Sequence, residues 1–104
     1  IMLAIIIPYF KLTFFEETLK SLANQTDKIF KVYIGNDASP ENPKIVLEKY
    51  ENKLNFKYKK FETNLGSFSL VKQWERCIDL IEDEECCNNV FLCDFSLYNP
   101  FFTN

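Results

Sequence analysis

Three short stretches at the ends of apolar runs hold the side chains with which this sequence can do chemistry. Pro8-Tyr9 follows the run 3–7, Asn36-Asp37 follows the run 29–34, and Asp94 closes the run 90–93. If the runs are parallel strands, these ends share one edge of a sheet. Carboxylates there can accept from a nucleobase imide or ribose hydroxyls, or hold a divalent cation. Asp37 is the focus. Gly35-Asn36-Asp37 are residues that tolerate tight turns, and Ser39-Pro40 can supply an N-cap and a first helical residue. The plainer roles are a turn former for Asp37, a strand-end cap for Asp94, and a lead-in turn to a helix for Asn64 and Gly66.

Composition narrows the chemistry further. Histidine is absent, which removes the commonest general base and transition-metal ligand, and with them His-based triads and zinc sites. With two glycines, Gly35 and Gly66, neither G-x-G-x-x-G nor a Walker A loop can be written. A net charge of −3 without a long basic run shows no nucleic-acid footprint or polybasic membrane patch. Cys77, Cys86, Cys87 and Cys93 form no CxxC pair and crowd the last third, so they read as reduced thiols in a cytoplasmic protein. The run 3–7 is stopped by Pro8, far short of a membrane span, and lacks signal-peptide flanks.

The elements that must position these residues follow in order. Residues 3–7 are a continuous apolar run, as in a strand buried on both faces, ended by Pro8. Thr13 and Glu16 form a capping box for a first helix, with Phe15, Leu19, Leu22 and Ala23 at helical spacing. A second strand spans 29–34. A second helix, starting at Ser39-Pro40 or Asn42-Pro43 and ending near Lys53, carries Val46, Leu47 and Tyr50. Phe56, Tyr58 and Phe61 among lysines predict a third strand near the sheet edge, and Lys57, Lys59 and Lys60 read as its solvent side. Leu70, Trp74, Cys77, Ile78 and Ile81 mark a third helix over about 69–82, with Trp74 in the core. A fourth strand covers 90–93. Strand and helix alternating in this way predict right-handed crossovers and one parallel sheet of about four strands with three flanking helices, a single Rossmann-like α/β domain over 1–104.

The residues Ile5-Ile6-Ile7-Pro8-Tyr9, Gly35-Asn36-Asp37-Ala38-Ser39, Asn64-Leu65-Gly66 and the strand ending at Asp94 together resemble the N-terminal, nucleotide-binding half of family 2 glycosyltransferases of the GT-A fold. The resemblance implies a truncated GT-A domain that binds a nucleotide-diphosphate sugar, a UDP-sugar foremost, for transfer to an acceptor hydroxyl. It implies that Pro8 and Tyr9 line the base pocket, that Asp37 accepts from the base with Asn36 beside it, and that Asn64 and Gly66 form the loop flanking the donor. Where many members carry Arg-Asn this chain has Val71-Lys72, so the resemblance implies a missing guanidinium near the diphosphate, with Lys72, one position on, as its substitute. The family's D-x-D run, which holds Mn²⁺ or Mg²⁺, is reduced to Cys93-Asp94-Phe95-Ser96, leaving Asp94 as a weak metal ligand. The acceptor half with its general base lies outside these residues, so the chain is expected to be inactive alone. The alternative is a degenerate, non-catalytic nucleotide-binding or interaction module. An exposed sheet edge, or the aromatic tail with Phe95, Tyr98, Phe101 and Phe102, would then favour self-association.

Overall fold

The computed structural model describes residues 2–26, 29–81 and 87–92. Its elements are β1 (Met2–Tyr9), α1 (Phe15–Ala23), β2 (Phe30–Asn36), α2 (Lys44–Tyr50), β3 (Phe56–Lys60), α3 (Leu70–Ile78) with a following 3-10 turn (Asp79–Ile81), and β4 (Cys87–Leu92). All strands are parallel, in the order β3-β2-β1-β4. The chain steps from β1 through β2 to β3, then α3 carries it back across the sheet to β4. The reversal falls between β1 and β4, where an α/β sheet of this kind opens its ligand crevice.

Each central strand is apolar on both faces because both are covered. Ile7 and Tyr9 of β1 join Val32 and Ile34 of β2, Phe15 and Leu19 of α1, and Tyr50 next to them in one core. Ala4, Ile6 and Tyr33 point the other way and meet Cys77 and Ile81 from the α3 side. This is the double burial expected of residues 3–7.

Local details depart from expectation. Pro8 does not end β1, which runs on to Tyr9. The Leu3 amide bonds the Ile29 carbonyl, so odd residues of β1 face β2 and the even Pro8 directs its missing N–H toward β4, beyond the last described pair, Ile6 with Leu92. Gly35 and Asn36 are strand residues, not turn residues. The turn itself is carried by Ala38, a non-glycine at φ 56°. The Thr13–Glu16 capping box is not formed. Phe14 occupies the N-cap of α1 without a side-chain cap, the Glu16 carboxylate accepts from Lys49 Nζ at 3.1 Å, and the Leu12 amide donates to Glu41 Oε1 at 2.6 Å. Of the two starts for α2 the later one holds, with Asn42 Oδ1 accepting from the Lys44 amide at 3.0 Å. Ser39 is drawn elsewhere: its hydroxyl accepts from the Glu41 amide and donates to the Phe10 carbonyl. In α3, Ser69 is the N-cap, accepting from the Lys72 amide. Ile78, counted in its apolar stripe, is 39% exposed, and Trp74 is half-buried.

Two buried groups give the fold an alkaline limit. Burial pushes the Cys77 thiol up from 9.0 to about 12 and the Tyr9 phenol up from 10.0 to about 12. The folded chain keeps both protons over a range where the unfolded chain releases them. Their contribution is therefore complete below about pH 9 and is lost as pH rises from there through about 12. The urea midpoint is expected to fall over that interval, less steeply in Tyr9→Phe and in Cys77→Ala. Equal slopes in all three proteins would remove these two groups as the cause.

Candidate functional site

The end of β2 is tied to both neighbours. The Asp37 amide donates to the Tyr9 carbonyl at 2.9 Å, extending the β1–β2 ladder by one bond, and the Phe61 amide donates to the Asn36 carbonyl from the β3 side. Asp37 thus leaves the sheet with its backbone fixed and its side chain fully buried.

The carboxylate is held by three donors. Oδ1 accepts from the Leu65 amide at 2.7 Å and from Arg76 Nη2 at 2.6 Å, and Oδ2 accepts from the Gly66 amide at 2.8 Å. Asn64 Nδ2 donates to the Asp37 carbonyl at 3.0 Å, while its Oδ1 accepts from Ser67, which folds the loop back on itself. Asp37, Asn64 and Gly66, widely separated in sequence, therefore converge as one cluster.

Arg76 was not foreseen as part of it. Its guanidinium lies over the Phe61 ring, 4.0 Å from the centroid, and bonds the Thr63 carbonyl and Gln73 Oε1 besides Asp37. Gln73 is fully buried, and its amide nitrogen donates to the Gly35 carbonyl at 3.1 Å. Arg76 is the one arginine in the chain. That singularity, with Gln73 three residues earlier, was the available signal that α3 aims a fork of donors at a fixed acceptor.

The other expected residues lie apart. Asn36 points to the α2 side, where its Nδ2 donates to Tyr58 and its Oδ1 accepts from the Ser39 amide. Tyr9, expected to line the base pocket, is instead fully buried, edge-on to Phe15 at 4.6 Å between centroids, with its hydroxyl donating to the Glu41 carbonyl. What it offers Asp37 is a backbone carbonyl. Pro8 is buried within β1 opposite Gly35. Asp94 lies outside the described residues. Among the described residues no three of His, Cys, Asp or Glu gather as metal ligands, and a guanidinium 2.6 Å from Asp37 makes that carboxylate a poor seat for a second cation.

Among known protein families, glycosyl transferase family 2 matches residues 4–86. No curated protein matches the chain significantly. Among solved structures, S. aureus TarS residues 1–349 is 29% identical over 90% of this chain, with a TM-score of 0.73. TarS in complex with UDP-GlcNAc is 28% identical with a TM-score of 0.72, again over 90% of this chain, and TarS in complex with UDP is 27% identical over the same share with a TM-score of 0.65. The chain spans 26 to 27% of the length of those structures.

Proposed function

The chain belongs to glycosyl transferase family 2, and from that premise we propose that its single domain is the donor half of a GT-A enzyme, binding the nucleotide of a UDP-sugar at the C-terminal edge of the sheet. The observation that carries this is the position of Asp37. It follows β2 at the same sheet edge, one strand over from the β1–β4 reversal, and the 64–66 loop folds down on it. A carboxylate offers about four acceptor directions, three of which are filled. The remaining one on Oδ2 is the acceptor for an imide N–H, reached when the Gly66 segment lifts. Support for uridine as the nucleoside comes from the related TarS structures with UDP-GlcNAc and UDP. The Tyr9 backbone carbonyl and Asn64 with Gly66 border that position, and Asp94 is the one residue of the metal run left to meet Mn²⁺ or Mg²⁺.

In this reading the chain binds the donor and does not transfer the sugar on its own. Transfer breaks the bond from the anomeric carbon to phosphate, forms one to the acceptor oxygen, and hands the hydroxyl proton to a base. None of the residues assigned above is placed for that last step. A cytoplasmic location belongs to the same reading and rests on Cys77, a free buried thiol. Among the described residues no helix is long and apolar enough to cross a membrane.

A second reading has its own observation: the protein already supplies Asp37 with two amides and a guanidinium, as an internal staple in a non-catalytic interaction module would. Calorimetric titration separates the two. With the donor site present, UDP binds about tenfold or more tightly than CDP, whose base presents an acceptor where uracil presents a donor, and Asp37→Asn abolishes the preference. Absence of heat with UDP, with and without Mn²⁺ and with the fold intact by circular dichroism, would establish the staple.

A further inference from the structure

A groove opens between α2 and the edge strand β3. Lys44, Leu47 and Glu48 of α2, with Asn42 before it, Glu51 at its C-cap and Phe56 and Tyr58 of β3, line this open groove of about 420 Å³. β3 has β2 on one side and no strand among the described residues on the other.

Ladder geometry fixes what this edge presents. The Val32 amide bonds the Asn55 carbonyl and the Phe61 amide bonds the Asn36 carbonyl, so odd residues of this segment face β2. Successive residues of a parallel strand alternate, so Phe56, Tyr58 and Lys60 turn their backbone N–H and C=O groups outward. The side chains of Phe56 and Tyr58 line the groove. Those of Lys57 and Lys59 lie on the α3 face, where Lys57 Nζ donates to the Leu80 carbonyl and Lys59 sits over the Phe61 ring.

We propose that the free edge of β3 takes an extended segment of a partner protein as a fifth strand. Its alternate side chains enter the groove as apolar residues with a basic residue at the Glu48–Glu51 end, and its intervening acidic side chains lie beside Lys57 and Lys59. Backbone bonds supply the pairing, and the two charged borders supply the choice. The same lysines argue against a second copy of this chain. In an antiparallel self-pair centred on Tyr58, Lys57 of one copy would stand opposite Lys59 of the other, and like charges directly across a ladder repel.

The probes are seven-residue blocked peptides alternating valine with glutamate and carrying one terminal arginine, made in both chain directions, with a control in which lysine replaces glutamate. They are titrated into the isotope-labelled chain and followed by NMR. Saturable shifts confined to β3 and the groove face of α2 are expected, with the control about tenfold weaker or worse and Glu48→Lys with Glu51→Lys weakening the arginine peptides similarly. Lys60→Pro deletes an outward amide at a position where an edge strand accepts proline, so affinity should fall about tenfold with the fold retained. N-methylation of the peptide's pairing amides must weaken binding equally and does not depend on any variant folding. The proposal is overturned by absence of saturable shifts, by indifference to Lys60→Pro and to N-methylation, or by a sedimenting dimer that Lys60→Pro dissolves, which would make the occupant a second copy.

Discussion

Replacing Asp37 by alanine is expected to destabilise the domain by about 3–5 kcal/mol, the range for removing one partner of a buried ion pair. Asp37 is wholly buried and the Arg76 side chain is 19% exposed, so the pair is little screened by water or salt. The substitution strands three donors at once: the guanidinium and the Leu65 and Gly66 amides. Unpaired buried donors cost more than the net worth of the bonds they made. Arg76→Met should cost less, because the carboxylate would keep both amides and the methionine would keep part of the packing on Phe61. The check is a urea midpoint series on both single variants and the double. Since the residues touch, the effects should be markedly non-additive, with the double variant close to Asp37→Ala alone. A loss below about 1 kcal/mol for Asp37→Ala would show the pair to be an ordinary surface bridge.

The second large effect is expected at Gly35, where the requirement is close approach rather than turning. A Cβ on Gly35 would meet Phe61 Cε2 at 3.0 Å and come closer still to the Cys77 sulfur. Gly35→Ala should therefore cost about 1–3 kcal/mol by overpacking, since α3 must move off the sheet or β2 must bend. Cys77→Ala removes the nearest atom and leaves Phe61 Cε2 at 3.0 Å and the residue 77 Cβ at 3.5 Å, so the relief is partial. The double variant should then be more stable than the sum of the single losses predicts. Arg76 is next to Cys77 on α3, so displacing the helix also loosens the grip on Asp37. Any nucleotide affinity measured in Gly35→Ala should fall with stability and return in part in the double variant. An unchanged urea midpoint in Gly35→Ala would show that the helix contact is looser than the geometry implies.

Neither effect can be read from the residues alone. Gly35 sits in a segment whose sequence, Gly35-Asn36-Asp37, is that of a turn, and only the seating of α3 on β2 shows that the missing side chain is what matters. Likewise Thr13 and Glu16 satisfy the pattern of a capping box, but the helix starts from Phe14 and the Glu16 carboxylate pairs with Lys49 of α2 instead. Local patterns were decisive where both faces of an element meet apolar neighbours, and failed where a long-range polar partner competed with a nearby one.

What the sequence determined by itself was the architecture and the focus. Alternating apolar runs and helical stripes require buried parallel strands joined by crossovers, because each element has one way to hide its apolar side chains. The lysines interleaved with Phe56 and Tyr58 marked β3 as the edge. The strand ends and the Asn64-Leu65-Gly66 loop indicated the family, which the match over residues 4–86 establishes. The tertiary structure alone decided the strand order, with its reversal between β1 and β4, and which polar groups meet. It brought Arg76 and Gln73 to Asp37 and Gly35, and it turned Tyr9 and Asn36 to the opposite side of the sheet. The reason is physical. Apolar periodicity is written within one element, whereas the partner of a buried charge is chosen by which elements pack against each other, across separations of 39 residues for Asp37 and Arg76.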